Sequence, residues 1–188
     1  MTNRNLFAAL RAAFPQDLQK WAVEAIGADG ASLFYSWADL DRGSARMANL
    51  LQSLQLPPAS RIAVQVDKSV EALMLYLATL RSGHVFLPLN TAYQAAEIEY
   101  FVGNAEPAVV VCAPANFGWV SKIAFTSGVA HVYTLGDDRS GTLLERAAHH
   151  GYEQEVVERG EGVEESGYAQ FVRGVVEHPA MTAALGRT

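Results

Sequence analysis

Three short apolar segments, Arg61-Ile-Ala-Val-Gln-Val66, Val85-Phe-Leu-Pro-Leu89 and Ala108-Val-Val-Val-Cys112, constrain the fold of this chain more than any other feature. Their centres are runs of branched or large apolar side chains without apolar/polar alternation. A strand with that pattern is covered on both faces, the condition of a parallel sheet between helices. The segments recur at intervals of about 23 residues, room for one strand and one crossover helix. The expected class is therefore α/β, a mostly parallel sheet with flanking helices.

The remaining elements follow in order. Trp21 to Ile26 and Ser32 to Tyr35 predict a hairpin turning at Gly27-Ala-Asp-Gly30. Ser36 with Asp39 predicts a helix start, running to Leu54 and stopped by Pro57-Pro58. Ser69 caps a helix that continues to Leu80 and ends at Ser82-Gly83; being apolar nearly all round, it is expected to be buried on most sides. Helices are predicted over 94–104, 117–125 and 142–149, and a further strand over 129–135. At the N-terminus Leu6, Phe7, Leu10, Ala13 and Phe14 mark a short packing helix ended by Pro15. The stretch 1–16 has two arginines and no acid, which also suits a mitochondrial targeting helix; a packing helix in a cytoplasmic protein is the expectation.

Composition narrows the partners. A net charge of −6 with no Lys/Arg cluster argues against a nucleic-acid binder. The single cysteine, Cys112, allows no disulfide framework. No apolar run reaches the roughly 18 residues of a membrane span. Beyond Glu158 the composition changes: Arg159 to Gly167 reads as a solvated linker, and Tyr168, Phe171, Val172, Val175 and Val176 fall at helical spacing. The expected division is a lobe over 1–158 and a linker with a tail helix over 159–188.

Each segment that might carry chemistry has a plainer structural reading. No G-x-x-x-x-G-K-[ST] occurs, and Gly160-Glu161-Gly162 lies among acids with Glu165 where a third glycine belongs, a linker rather than a phosphate cradle. Thr126-Ser127-Gly128 lacks a lysine and is expected to be a helix C-cap. Gly136-Asp-Asp-Arg-Ser-Gly141 reads as a loop with Ser140 as a helix cap, Asp137 and Asp138 having no third oxygen ligand for a cation. The adjacent His149 and His150 lack the i, i+4 spacing of a zinc helix. Cys112, at a strand end, is expected to be a small buried side chain. No residue is assigned a catalytic, cofactor-binding or metal-binding role.

Four further segments carry a resemblance. Asn5-Leu-Phe-Ala-Ala-Leu10, Tyr35-Ser-Trp-Ala-Asp-Leu40, Ala45-Arg-Met-Ala-Asn-Leu-Leu51 and Arg61-Ile-Ala-Val-Gln-Val66 resemble the start of an adenylate-forming acyl-CoA synthetase. Gly83 to Tyr93, Glu97 to Phe101 and Ala105 to Val111 are similar to the malonyl-CoA synthetase branch of that family. The resemblance covers about 3–157 and implies the fold of the family's N-terminal subdomain. It also implies, for an intact member, ATP-dependent ligation of malonate or methylmalonate to coenzyme A through an acyl-adenylate, with magnesium assisting. The family's phosphate loop is expected soon after position 160, where the linker stands. Its adenine and ribose segments and C-terminal lysine are not found either, so no catalytic residue is carried over. The expectation is a truncated ligase lobe, inactive alone, binding no cofactor and self-associating through exposed apolar surface. A non-catalytic interaction module, or a lobe active only with a separately made remainder, are the alternatives.

Overall fold

The computed structural model describes residues 4–27 and 30–152. The predicted tail helix and the linker before it lie outside the described residues. In chain order the elements are α1 (Leu6–Ala12), β1 (Trp21–Ile26), β2 (Ser32–Ser36), α2 (Trp37–Ser53), β3 (Arg61–Gln65), α3 (Val70–Arg81) and β4 (Val85–Pro88). They continue with α4 (Ala95–Ala105), β5 (Val109–Cys112), α5 (Phe117–Thr126), β6 (His131–Thr134) and α6 (Thr142–Ala147). β1 and β2 form an antiparallel hairpin, and the other four strands form one parallel sheet in the order β4-β3-β5-β6.

That order places the helices. β3 crosses to β4 in one direction, whereas β4 to β5 and β5 to β6 run in the other. Right-handed crossovers then require α3 on one face and α4 and α5 on the opposite face. The packing follows suit. Ile62, Val64, Val109 and Val111 meet α2, α3 and α6 on one side of the sheet. Ala63, Val110 and Cys112 meet α4 and α5 on the other. β5 is buried at all four positions, as its unbroken apolar run requires.

Local chemistry sets the boundaries. Ser36 Oγ accepts from the Asp39 amide while the Asp39 carboxylate accepts from the Ser36 amide, a capping box that starts α2. This engagement by Ser36 also holds the Asp39 carboxyl below its ordinary value. Ser69 Oγ accepts from the Ala72 amide at the head of α3. α2 ends before the two prolines, with Leu54 as its C-cap and Gln55 at φ +52°.

The expected packing of α1 needs correction. In α1 only Phe7 is buried, whereas Leu6 is 52% and Leu10 37% exposed, because a seven-residue helix meets the body at one point. Phe7 fills that point and Phe14 packs on Trp37 at 4.5 Å. Helix α3 is buried on most sides, as its apolar surface predicts: Leu73 is exposed at 38%, and even Glu71 and Arg81 are buried. Those two charges lie inside because each has a partner, Tyr35 for Glu71 and Asp41 for Arg81.

After α3 the chain turns at Gly83 (φ +75°), and the His84 amide bonds back to the Thr79 carbonyl. The imidazole is 5% exposed, and burial holds its pKa below the ordinary value of about 6.5. The unfolded chain takes up this proton more readily than the folded one. His84 therefore adds stability that is full above pH ~6.5 and is lost as the pH falls below it towards the lowered folded value. Urea midpoints are expected to drop between pH 7.5 and pH 5, with a flatter profile in His84→Gln. An equally steep profile in that variant would rule out His84 as the cause. The loss from Asp39 lies lower, below about pH 4.

Candidate functional site

In an open parallel sheet, ligands gather at the carboxyl ends of strands where successive connections leave to opposite faces. Here that point lies between β3 and β5. Gln65 and Cys112 stand there as register partners on the α4/α5 face. Gln65 is 1% exposed, and its Nε2 donates to the carbonyls of Asn90 at 3.1 Å and Tyr93 at 2.9 Å, tying down the loop before α4. Its Oε1 has no hydrogen-bond partner among the described residues. The only signal of Gln65 in the sequence is an amide within an otherwise apolar strand. Cys112 is fully buried, and burial pushes its thiol up to about 11. At neutral pH it is a protonated thiol, unsuited to nucleophilic attack.

A second concavity, about 420 Å³, opens between the hairpin, the head of α3 and the loop after β6. Lys68, Arg139, Tyr35, Glu71, Asp137 and Asp138 line it. The Tyr35 hydroxyl donates to Glu71 Oε1 at 2.8 Å. Burial raises the Tyr35 pKa, the Glu71 carboxylate adds to the rise, and Arg139 opposes it. Asp138 Oδ1 accepts from the Ser140 hydroxyl at 2.5 Å and the Ser140 amide at 3.1 Å, which lowers its pKa.

This arrangement corrects the expectation that Ser140 caps α6. The Gly136 amide bonds to the Ser140 carbonyl, closing the loop on itself and turning the serine hydroxyl inward to Asp138. Gly141 occupies the N-cap position, and α6 is tied to the sheet by Thr142 instead. The Thr142 hydroxyl accepts from the Thr134 amide, and Thr134 Oγ1 accepts from the Thr142 amide, both at 3.0 Å.

The other candidates are separated in space and role. Thr126-Ser127-Gly128 closes the C-terminus of α5: the Ser127 amide donates to Ile123, the Gly128 amide to Phe125, and Gly128 sits at φ +84°. His149 and His150 follow the end of α6, with their amides bonded to the Arg146 and Ala147 carbonyls. Among the described residues no group of three or more His, Cys, Asp or Glu is placed to hold a metal ion. Thr126-Ser127-Gly128 thus lies at the negative end of a helix, with the Ser127 and Gly128 amides already donated. No helix among the described residues is long and apolar enough to cross a membrane.

The sequence pattern of the AMP-binding enzyme family matches residues 11–174, running past the compositional change at Glu158. The solved structure of ATP-bound MatB from Rhodopseudomonas palustris is 43% identical with a TM-score of 0.75, covering 85% of this chain and 30% of that one. A Brucella canis acyl-CoA synthetase shares the fold at 22% identity and a TM-score of 0.70, over 84% of this chain and 29% of that one. A probable non-canonical nonribosomal peptide synthetase, CymA of Salinispora arenicola, is 28% identical over 110 residues, which are 57% of this chain and 1% of its own length.

Proposed function

The chain belongs to the AMP-binding enzyme family, and on that premise we propose that its described residues are the first lobe of a malonate-activating acyl-CoA synthetase that is catalytically incomplete by itself. The observation that carries this reading is the 43% identity to MatB over 85% of the chain, a likeness that includes the whole parallel sheet. Gln65 at the switch point holds the loop before α4, and in the cavity beside Tyr35 the hydroxyl of Tyr35 is bound to Glu71 and the carboxylate of Asp138 to Ser140. The lobe's part is to supply a rigid, doubly covered sheet against which a nucleotide-binding lobe packs. ATP, magnesium and coenzyme A would engage that other lobe. Adenylation depends on charge placed around the phosphates, so a chain without those donors forfeits most of the rate. The acid balance of the chain and its lack of a Lys/Arg run in sequence favour a small-molecule enzyme over a nucleic-acid binder.

Two assays test this reading. With malonate, coenzyme A, ATP and magnesium, the purified chain is expected to release no AMP above background. A MatB chimera carrying residues 4–152 of this chain in place of its own first lobe is expected to release AMP with malonate. Turnover by the chain alone would overturn the claim of incompleteness. A folded chimera without activity would overturn the assignment to a malonate-activating scaffold.

A further inference from the structure

Among the described residues β1 and β2 pair only with each other, which leaves one edge of β2 without a partner strand. Beside β2 lies an open groove of about 510 Å³, lined by the adjacent residues Phe34 and Tyr35 and by no residue of β1. Neighbours on a strand point to opposite faces, here Tyr35 towards the core and Phe34 to solvent at 47% exposure. A concavity that touches both therefore runs along the free edge. Its other wall is one face of α2, with Asp39, Arg42 and Arg46 at i, i+3 and i+7, and Arg139 lines it from the loop after β6.

The two walls are complementary to one kind of occupant. A strand edge offers N–H and C=O groups to an extended backbone, and three guanidinium groups facing one carboxylate suit acidic side chains. That carboxylate, Asp39, is taken up by Ser36 and Arg42, whereas Arg46 and Arg139 form no ion pair among the described residues. Phe34 stacks on Trp21 with ring centroids 4.5 Å apart, and Trp21 is 72% exposed, so an apolar surface borders the same edge. A second copy of the chain suits the groove poorly, because pairing two β2 edges would set arginines against arginines. We infer that the groove takes an acidic segment of a separate polypeptide, bound in extended form as a third strand on β2. Its carboxylates pair with Arg42, Arg46 and Arg139, and its alternate aliphatic side chains lie beside Phe34. This docking edge stands whichever reaction the chain serves.

The probe is a fluorescently labelled, end-blocked peptide of about six residues alternating glutamate and valine, titrated into the full chain and read by anisotropy. Saturable binding is expected, weaker by about tenfold or more in Arg42→Glu with Arg46→Glu and reduced by added salt. Arg42 is half exposed and its pair with Asp39 contributes little, so this double variant is expected to keep the melting transition of the parent. Arg139→Glu serves as an independent charge reversal. Two further peptides, N-methylated on one or the other set of alternate amides, separate strand addition from charge alone. The peptide whose methyl groups face β2 is expected to bind about tenfold more weakly, and the other to bind as the unmodified peptide does. Absence of saturable binding would overturn the inference, as would equal binding of the two methylated peptides or binding that survives charge reversal in a folded variant. A chain that self-associates and is dispersed by the peptide would also overturn it, since the edge would then belong to a second copy.

Discussion

Replacing Gly141 with alanine is expected to lower stability by about 3 kcal/mol, through backbone strain compounded by a clash with the sheet. Gly141 has φ +123°, a region that side-chain-bearing residues rarely adopt. A Cβ there would press on the Thr134 carbonyl oxygen, and would lie 2.8 Å from its carbon and 3.0 Å from Leu135 Cα. These are backbone atoms at the end of β6, so relief requires moving the strand or α6. Moving α6 breaks the paired Thr134–Thr142 hydrogen bonds and withdraws Leu143 and Ala147 from the core. Urea unfolding of Gly141→Ala is expected to show a lower midpoint with an unchanged slope. Gly30→Ala is the control. It too has positive φ (+79°), but nothing lies within 4 Å of its added Cβ, so it should lose about 1 kcal/mol from conformation alone. Equal losses at the two positions would show that steric contact with Thr134 is irrelevant.

Removing the Asp41 carboxylate is expected to cost about as much, roughly 3 kcal/mol, because it takes the paired carboxylate from a buried guanidinium. Asp41 Oδ1 accepts from Arg81 Nη1 at 2.8 Å, and Asp41 Oδ2 accepts from Arg11 Nε at 3.1 Å, with Arg11 Nη2 in ion-pair contact at 3.0 Å. The two arginines are not equivalent. The Arg81 side chain is 9% exposed and its guanidinium lies 4.8 Å from the Phe7 ring centroid, whereas Arg11 is 37% exposed. In Asp41→Ala the Arg81 charge stays inside without its carboxylate. Arg11→Ala removes only an exposed pair and should cost less than about 1 kcal/mol. Arg81→Met in the Asp41→Ala background is expected to recover most of the loss, since it removes the buried charge and keeps the packing on Phe7. A double variant no more stable than Asp41→Ala would mean that the cost comes from elsewhere in the α1–α2–α3 contact.

These two sites differ in how far the sequence announced them. The loop around Gly141 was visible as a Gly-Asp-Asp-Arg-Ser-Gly run, yet its cap was assigned to Ser140. Serine is a frequent N-cap, and only the return of the Gly136 amide to the Ser140 carbonyl shows why its hydroxyl is occupied elsewhere. The Asp41–Arg81 pair spans 40 residues and carries no periodic signal. Tyr35–Glu71 and the Asn90 and Tyr93 anchors on Gln65 are of the same kind, contacts between elements whose partners depend on strand order.

By contrast, the element types and boundaries were set by local rules. Apolar runs marked the buried strands, 3.6-residue spacing marked the helices, and Ser36, Ser69 and Gly83 marked their ends, because each of these effects acts within a few residues. The likeness to the acyl-CoA synthetases was legible for the same reason, resting on the strands and helix faces of a scaffold. What the sequence alone could not determine is the order β4-β3-β5-β6, and with it which side chains meet. That order brings Gln65 beside Cys112. It follows from packing two helical layers on one twisted sheet, a condition imposed by the whole chain at once and by no single stretch of it.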